Sequence, residues 1–354
     1  MSSAELPNMG KVSSEVFDNI ILPQLGRHRD DVVVGPQHGV DIGVISLGGG
    51  RVMAMSTDPV FIVPPYGWER SAWFAVHVLA SDTATSGLAP SHMTIDLNLP
   101  LDMERESLET MWSVIHKESE KLGIAIVSGH TGRYEGCNYP MVGGATVFAM
   151  GDEDSYVTPQ MASPGDRVII TKGPAIEAAG LFAVTFPDRV AEAYDRQTAD
   201  RAEELFWQMS VVEDCMTAAG VGLRENGVTA MHDATECGVW GGLSELARAS
   251  GVGLDIQREE IILQEEVEKI CRMFDIDPFI SISEGTLILT CRPEKVDLLL
   301  KQLEEKEIPA SEVGEVVPDS EGTTYYENGQ AHTLEHPLND PFWEAYGKAA
   351  EGEG

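Results

Sequence analysis

Helical and extended sequence patterns alternate along the first 150 residues, and this alternation limits the fold more than any other feature of the chain. Residues 69–89 and 103–123 have the apolar spacing of helices, whereas residues 92–99 and 124–131 have the pattern of strands. Short polar joints separate these segments, which is typical of domains in which helices pack on a sheet. We therefore predict an α/β fold of the α+β type. Residues 11–30 are predicted to form a further amphipathic helix, interrupted by its proline.

A second set of helical and extended patterns follows the polar segment at residues 152–166. Because the chain has 354 residues, it is long enough for two hydrophobic cores of ordinary size. We predict an N-terminal domain at residues 1–155 and a C-terminal domain at residues 156–318. Residues 319–354 are predicted to form an acidic, loop-like tail.

Composition excludes several classes of partner and site. The chain carries 58 acidic and 24 basic side chains, spread along its length, so we expect neither nucleic acid nor an anionic membrane as a partner. This charge is compatible with a salt-rich cytoplasm and equally with an ordinary acidic protein. No apolar run long enough to span a membrane and no signal-type N-terminus occur in the sequence, which predicts a cytoplasmic protein. The five cysteines form no C-x-x-C pair, which argues against a disulfide framework and a zinc site.

Four aspartates share one local setting: each stands at the end of a predicted strand or the start of a turn, flanked by Gly, Thr or Ser. They are Asp41 in HGVDIG, Asp58 in MSTDP, Asp82 in LASDTATSG and Asp233 in MHDATE. Such carboxylates project into loop regions, and Mg²⁺ prefers a few carboxylate oxygens together with substrate phosphates. The set therefore predicts a site for Mg²⁺ and a nucleotide. Taken singly, Asp58 could instead belong to a turn, and Asp82 could cap a helix or lie within one.

The segment MHDATECGVWGGLSELA, residues 231–247, combines a carboxylate, a hydroxyl and a flexible turn. Asp233 precedes Thr235, and a glycine-rich turn beginning at Gly238 leads into a predicted helix. Backbone amides at such a helix start could hold a phosphate group. The segment is neither a Walker A loop nor a G-x-G-x-x-G fingerprint.

Three other residues each have two interpretations. Lys172 ends a predicted strand and could meet a phosphate, or it could be a solvated loop lysine. Glu284 lies in a Ser-Glu-Gly turn and is either a buried acceptor that holds the turn or part of a binding groove. His130, in the motif SGHT, either acts in catalysis or only fills space. The candidate catalytic residues are His130, Thr235 and Lys172.

Five motifs together resemble the PurM-like ATP-binding superfamily. HGVDIGVI is similar to its G-D/E-D-A-A-V-I segment, STD to its T-T-D, SD at residues 81–82 to its N-D, and SGHT at residues 128–131 to its G-D-T. DATECGVWGGL is similar to its D-x-T-x-x-G-x-x-G-x-L turn. Order and approximate spacing agree over residues 10–318. The likeness is greatest to the branch related to aminoimidazole ribonucleotide (AIR) synthetase and to HypE-like hydrogenase maturation proteins.

The resemblance implies two α/β-type domains, the first of which pairs with a second copy of the chain so that strands of both subunits form a closed barrel. It implies ATP held through Mg²⁺, and a small-molecule substrate in the groove between the domains. The residues that it places at the metal are Asp41, Asp58, Asp82 and Asp233. Those that it adds near the phosphates are Thr131, Thr235 and Gly238.

The sequence departs from the family pattern at several motif positions. Val40 stands where the family often has a second acid, and His130 stands where it usually has Asp. Glu236 and Cys237 replace an Arg-Gly pair. HypE carries a carbamoyl group on a C-terminal cysteine and dehydrates it with ATP. The last cysteine of this sequence is Cys291, so we do not expect that reaction in its usual form.

Three functions are compatible with these observations. The preferred one is an enzyme that uses Mg-ATP to phosphorylate an oxygen of a small amide- or carboxyl-type substrate. The second is a nucleotide-binding but inactive scaffold or maturation partner, which the departures at Val40 and His130 favour. The third is a small-molecule kinase. The first two predict a homodimer.

Overall fold

The computed structural model describes Val12 and residues 14–352. The elements of the first half are α1 (Ser14–Val16), β1 (Val32–Val34), β2 (Gly43–Gly48), β3 (Arg51–Phe61), α2 (Trp68–Ala84), β4 (Pro90–Leu99), α3 (Arg105–Lys121), β5 (Ala125–Arg133) and β6 (Met141–Asp152). Those that follow are β7 (Arg167–Thr171), α4 (Ile176–Thr185), α5 (Pro187–Ala193), α6 (Arg196–Glu204), α7 (Val212–Val221), β8 (Val228–Ala234), α8 (Gly238–Ser250), β9 (Val252–Gln257), α9 (Glu265–Met273), β10 (Thr286–Cys291), α10 (Val296–Glu305), β11 (Ala310–Pro318), β12 (Thr324–Glu327), β13 (Gln330–Thr333) and α11 (Phe342–Ala350). The predicted α/β fold of the α+β type is confirmed.

The first sheet has six strands in the order β1-β2-β3-β6-β4-β5, and only β4 and β5 run parallel. Side chains of β4 alternate between its two faces, so Met93, Ile95 and Leu97 are buried while Asp96 is exposed. The buried residues share a core with residues of α2 and α3, such as Leu79. One face of this sheet is therefore covered by helices.

The second sheet has seven strands in the order β13-β12-β9-β11-β7-β10-β8, in which only β9 and β12 run parallel. Every residue of β8 and β10 is buried. Helices on both faces explain this: Ala230 packs with residues of α8, whereas the next residue, Met231, packs with residues of α7. β8 is nevertheless the edge strand of the sheet, so no strand of the described residues pairs with its outer side.

Helix α2 joins the two halves of the molecule. It packs against β3 and β6 of the first sheet and against α7 and β8 of the second half. One core cluster therefore contains Met93 and Ile95 from the first sheet together with Met231 and Leu287 from the second. The Oγ of Ser81 on α2 also accepts a hydrogen bond from the backbone N–H of Val211, at 3.1 Å. The residues near the end of α2 thus lie where the halves meet.

The described part of the helix predicted at residues 11–30 is helical from α1 through a π-helical turn at Phe17–Ile21 to a 3-10 turn at Leu22–Gln24. It is not one regular α-helix, and its last turn contains the proline that was predicted to interrupt it. Residues 11 and 13 lie outside the described part.

The segment from residue 319 is not loop-like, since it contains the hairpin β12–β13 and helix α11. Phe342 anchors α11 because its ring is only 1% exposed and lies 5.2 Å from that of Phe182. The predicted domain boundaries remain predictions. Among the described residues, no helix combines the length and apolar character that a membrane crossing requires.

Candidate functional site

Asp41, Asp58, Asp82 and Asp233 come from four separate parts of the chain and meet where the two halves join. Burial, and then the nearby carboxylates of Asp233, Asp58 and Asp41, raise the pKa of Asp82 well above its usual range. Asp41 is exposed, Asp58 is half-buried, and the other two are buried. The structure therefore concentrates carboxyl groups in one place that opens to solvent at Asp41.

Asp41 precedes β2 in a loop whose position is fixed by its neighbours. Val40 and Ile42 on either side are 6% and 2% exposed. Gly39 has φ +66°, and a Cβ there would lie 2.8 Å from the carbonyl oxygen of Glu245 on α8. The loop thus lies directly against α8, and only glycine allows this approach.

Asp58 lies within β3 and not in a turn, so its alternative interpretation as a turn residue is wrong. β3 pairs with β2 only as far as Met55, and beyond that residue its pairing continues with β6 alone. Pro59 is tolerated because this part of β3 has one strand neighbour. Since β2 begins opposite Met55, the chain just before it, with Asp41, lies beside this part of β3.

Asp82 lies within α2, in agreement with one of its two alternatives. Its neighbour Thr83 holds the helix against the first sheet through a 2.6 Å hydrogen bond between its Oγ1 and Oγ of Ser56. Ser81 connects the helix to the second half, as described above. Asp82 is therefore held between the halves by the residues on both sides of it.

Asp233 is the next-to-last residue of β8 and lies opposite Leu287 of β10. It is 1% exposed, and neither of its carboxylate oxygens has a hydrogen-bond partner among the described residues. Burial and the charge of Asp41 raise its pKa to about 6. A buried, unpartnered carboxylate is costly without a compensating charge.

His232 precedes Asp233 and is 2% exposed. Its Nε2 lies 3.0 Å from Oε2 of Glu245, and its Nδ1 lies 3.1 Å from Oδ2 of Asp41. Burial lowers the pKa of His232, but the carboxylates of Asp41 and Glu245 have the larger effect and raise it well above its usual range. Glu245 in turn lies 3.6 Å from Nε2 of His336.

The turn after β8 is shaped by protein neighbours. Cys237 and Gly238 both have positive φ, at 63° and 59°. A Cβ on Gly238 would lie 2.6 Å from the carbonyl oxygen of Ser281, so the glycine is required by packing. The Cys237 N–H donates to Oδ2 of Asp340 at 2.8 Å, so a carboxylate already lies at the start of α8.

Three other predicted residues are not brought to the four aspartates by any described contact. His130 pairs with Asp96 in the first sheet, on the face opposite Asp58, and its Nε2 lies 2.6 Å from the Tyr134 hydroxyl. Thr131 borders a cavity of about 460 Å³ beside α3. Lys172 is buried, not solvated, and donates to Oδ2 of Asp214 at 2.9 Å.

Two family domains match the chain in sequence. The N-terminal domain of AIR synthase related proteins matches residues 39–151, and the C-terminal domain matches residues 163–327. The first match covers most of the strands of the six-stranded sheet, and the second covers most of those of the seven-stranded sheet. The chain belongs to the AIR synthase-related family, within the PurM-like superfamily.

Curated relatives of this AIR synthase-related chain include HypE and hydrogenase expression/formation proteins. A carbamoyl dehydratase HypE of Rhizobium leguminosarum bv. viciae is 26% identical over 291 residues, which is 79% of this chain and 78% of the relative. A putative hydrogenase expression/formation protein of Methanocaldococcus jannaschii is 22% identical over 338 residues, or 94% and 96% of the two chains.

Solved structures share the AIR synthase-related fold. A HypE–HypF complex matches with a TM-score of 0.65 and 21% identity, covering 83% of this chain and 93% of that one. A hydrogenase maturation protein HypE in complex with ATP matches with a TM-score of 0.60 and 19% identity, covering 93% of both chains. At these identities the likeness establishes the fold.

Sequence reasoning missed part of the candidate site. His232 and Glu245 meet because α8 folds back along β8, and Asp340 comes from the segment predicted to be a loop-like tail. Glu284 is buried, and its Oε1 lacks a hydrogen-bond partner within the described part of the chain. Burial, and then Asp233 and Glu177, raise the pKa of Glu284 well above its usual range. Burial agrees with the interpretation of Glu284 as a buried acceptor, and the effect of Asp233 on its pKa shows that it lies near the four aspartates.

Proposed function

We propose that the protein binds ATP with a divalent cation and phosphorylates an oxygen of a small amide- or carboxyl-type substrate. The observation that supports this most is Asp233, whose two buried oxygens have no hydrogen-bond partner among the described residues. Together with Asp41, Asp58 and Asp82 they form a donor set of carboxylates that suits Mg²⁺. The cation would neutralise charge on the phosphates.

The chain's own residues contribute mainly position and charge. Asp41 reaches solvent, where an incoming metal–nucleotide complex would meet it, whereas Asp82 and Asp233 form the buried end of the proposed site. The surface has an acidic excess, so a triphosphate must bind through the cation and local donors. Thr131, Thr235 and Gly238 remain proposed phosphate contacts, and His130, Thr235 and Lys172 remain candidate catalytic residues.

The protein is also proposed to be a homodimer, with a small-molecule substrate in the groove between its halves. The uncovered face and edge of the first sheet support a second copy as partner, because Val127, Met141 and Met150 are 57%, 56% and 41% exposed. Light scattering should give twice the 38.4 kDa chain mass. A mass near one chain would contradict the dimer.

A second candidate function is nucleotide binding without turnover, in a maturation or scaffold role. The observation that favours it is the Asp340 carboxylate, which accepts the Cys237 N–H at the start of α8. A phosphate could not use that amide while Asp340 holds it. A protein partner, like the one in the HypE–HypF complex, is part of this second proposal.

Titration calorimetry with ATP tests the nucleotide site. We expect binding that requires Mg²⁺ in the wild type and is about 10- to 100-fold weaker in Asp82→Asn. Asp30→Asn is the matched control because that side chain is fully exposed. Absence of binding, in low and in high salt, would contradict both candidates. Release of phosphate from ATP with a matching phosphorylated or activated metabolite supports the enzyme, and binding without turnover supports the second candidate.

A further inference from the structure

The imidazole of His232 has one nitrogen engaged and one that faces the aspartates. Nε2 contacts Oε2 of Glu245 at 3.0 Å. Nδ1 forms an ion-pair contact with Oδ2 of Asp41 at 3.1 Å, and it makes no hydrogen bond of regular geometry with the residues that the structure describes. The ring is 2% exposed, so water does not satisfy this nitrogen from bulk solvent.

This arrangement is the one that proteins use to orient a metal-binding histidine. A histidine ligand usually donates its other ring N–H to a carboxylate, which fixes the tautomer and the direction of the free nitrogen. Glu245 stands in that position, and His336 on its other oxygen, at 3.6 Å, helps to hold it. The loop glycine Gly39 packs against the backbone of Glu245 and keeps Asp41 beside the ring.

Asp233 supplies a second buried, unpartnered ligand atom from the same edge strand. One ligand atom from each of Asp41, His232 and Asp233 lies within 4.8 Å of the others. Opposite ligands of an ion with bonds of about 2.1 Å are separated by roughly 4.2 Å, so only a small contraction is needed. The nitrogen and the carboxylate, both buried and both without a hydrogen bond among the described residues, thus point to the same ligand.

We infer that the cation of this site is a divalent first-row transition ion, of which Mn²⁺ is an example, held by Nδ1 of His232 together with Asp41 and Asp233. An imidazole nitrogen suits such ions, whereas Mg²⁺ takes oxygen ligands. The inference rests on the cation site of the proposed function, but not on ATP binding or turnover. Glu245 and His336 are positioning residues that act through His232.

The test uses Mn²⁺ alone with the nucleotide-free, full-length protein. Electron spin echo envelope modulation of bound Mn²⁺ should show a directly coordinated ¹⁴N nucleus in the wild type and not in His232→Gln. Competition titrations should show that His232→Gln weakens Mn²⁺ binding about 10- to 100-fold while Mg²⁺ binding changes little. His92→Gln is the matched control, because His92 contacts Ser91 in the first sheet.

Nitrogen modulation that is present in the wild type and absent in His232→Gln supports the inference. Bound Mn²⁺ without nitrogen modulation in the wild type overturns it and leaves the carboxylate site of the proposed function in place, with His232 only bracing Asp41. If neither Mn²⁺ nor Mg²⁺ binds, with or without ATP, the inference and the proposed function both fail. The wild-type spectrum decides the question even if His232→Gln does not fold.

Discussion

Asp233→Asn should stabilise the metal-free protein at neutral pH, although it removes a proposed ligand. The pKa of Asp233 rises from 3.8 to about 6 on folding. The folded protein therefore holds this proton more tightly, so stability falls as pH increases between about 4 and 6 and stays lower above that window. About two pKa units correspond to about 3 kcal/mol, which is the most that the substitution can recover at pH 8.

Urea unfolding in EDTA, followed by tryptophan fluorescence at pH 4 and pH 8, measures this effect. At pH 8 Asp233→Asn should have the larger free energy of unfolding, and at pH 4 the two proteins should agree. Asp30→Asn, at a fully exposed site, should change stability by less than about 0.5 kcal/mol at either pH. Added Mn²⁺ or Mg²⁺ should then stabilise the wild type but not Asp233→Asn. A variant that is less stable than the wild type at pH 8 in EDTA would refute the reasoning.

Three further changes test other parts of the site. Lys172→Ala should lower the free energy of unfolding by about 3–5 kcal/mol in urea titrations, because the Asp214 carboxylate would remain buried without its cation. If the free energy of unfolding fell only as little as it does when an exposed lysine is replaced, the buried ion pair would be contradicted. Gly238→Ala should lower the melting temperature, since the new Cβ would meet the Ser281 carbonyl at a positive φ, and an unchanged temperature would contradict this packing. Asp340→Ala should cost about 1 kcal/mol of stability as a lost helix cap, and calorimetry should show tighter ATP binding if the second candidate function is correct. Unchanged ATP affinity would show that Asp340 does not compete with the nucleotide.

The layered fold could be predicted because the local patterns were strong. The strand at residues 92–99 alternates apolar and polar side chains, and β4 covers Pro90–Leu99 with the same alternation of burial. The helix predicted at residues 11–30 is shorter and less regular than expected, because its proline ends it and its apolar side chains have little to pack on: Ile20 and Leu25 are 54% and 49% exposed. The prediction of a loop-like tail from residue 319 was wrong because Phe342 packs on Phe182, 160 positions earlier in the chain. A local sequence pattern cannot predict such a distant contact.

The candidate site was predictable only in part, for a similar reason. Asp41, Asp58, Asp82 and Asp233 each carry a weak local signal, and their order along the chain, not their individual settings, indicated that they belong together. Glu245 reaches His232 only because α8 lies back along β8. Asp340 reaches the Cys237 N–H from about 100 residues further along the chain. His130 stood in a matching motif, yet strand register places it on the face of the sheet opposite Asp58.

The position of α2 between the two sheets limits how the molecule can exchange its ligands. Because one continuous core includes Met93 from the first half and Leu287 from the second, rotating the halves apart would expose apolar surface on both. Opening a hinge between the halves would therefore cost the free energy of exposing this apolar surface, and we expect the four aspartates to lie together before a ligand binds. We therefore expect a cation of the proposed site to enter and leave from the solvent side at Asp41, with exchange rates that depend on that loop and on ionic strength.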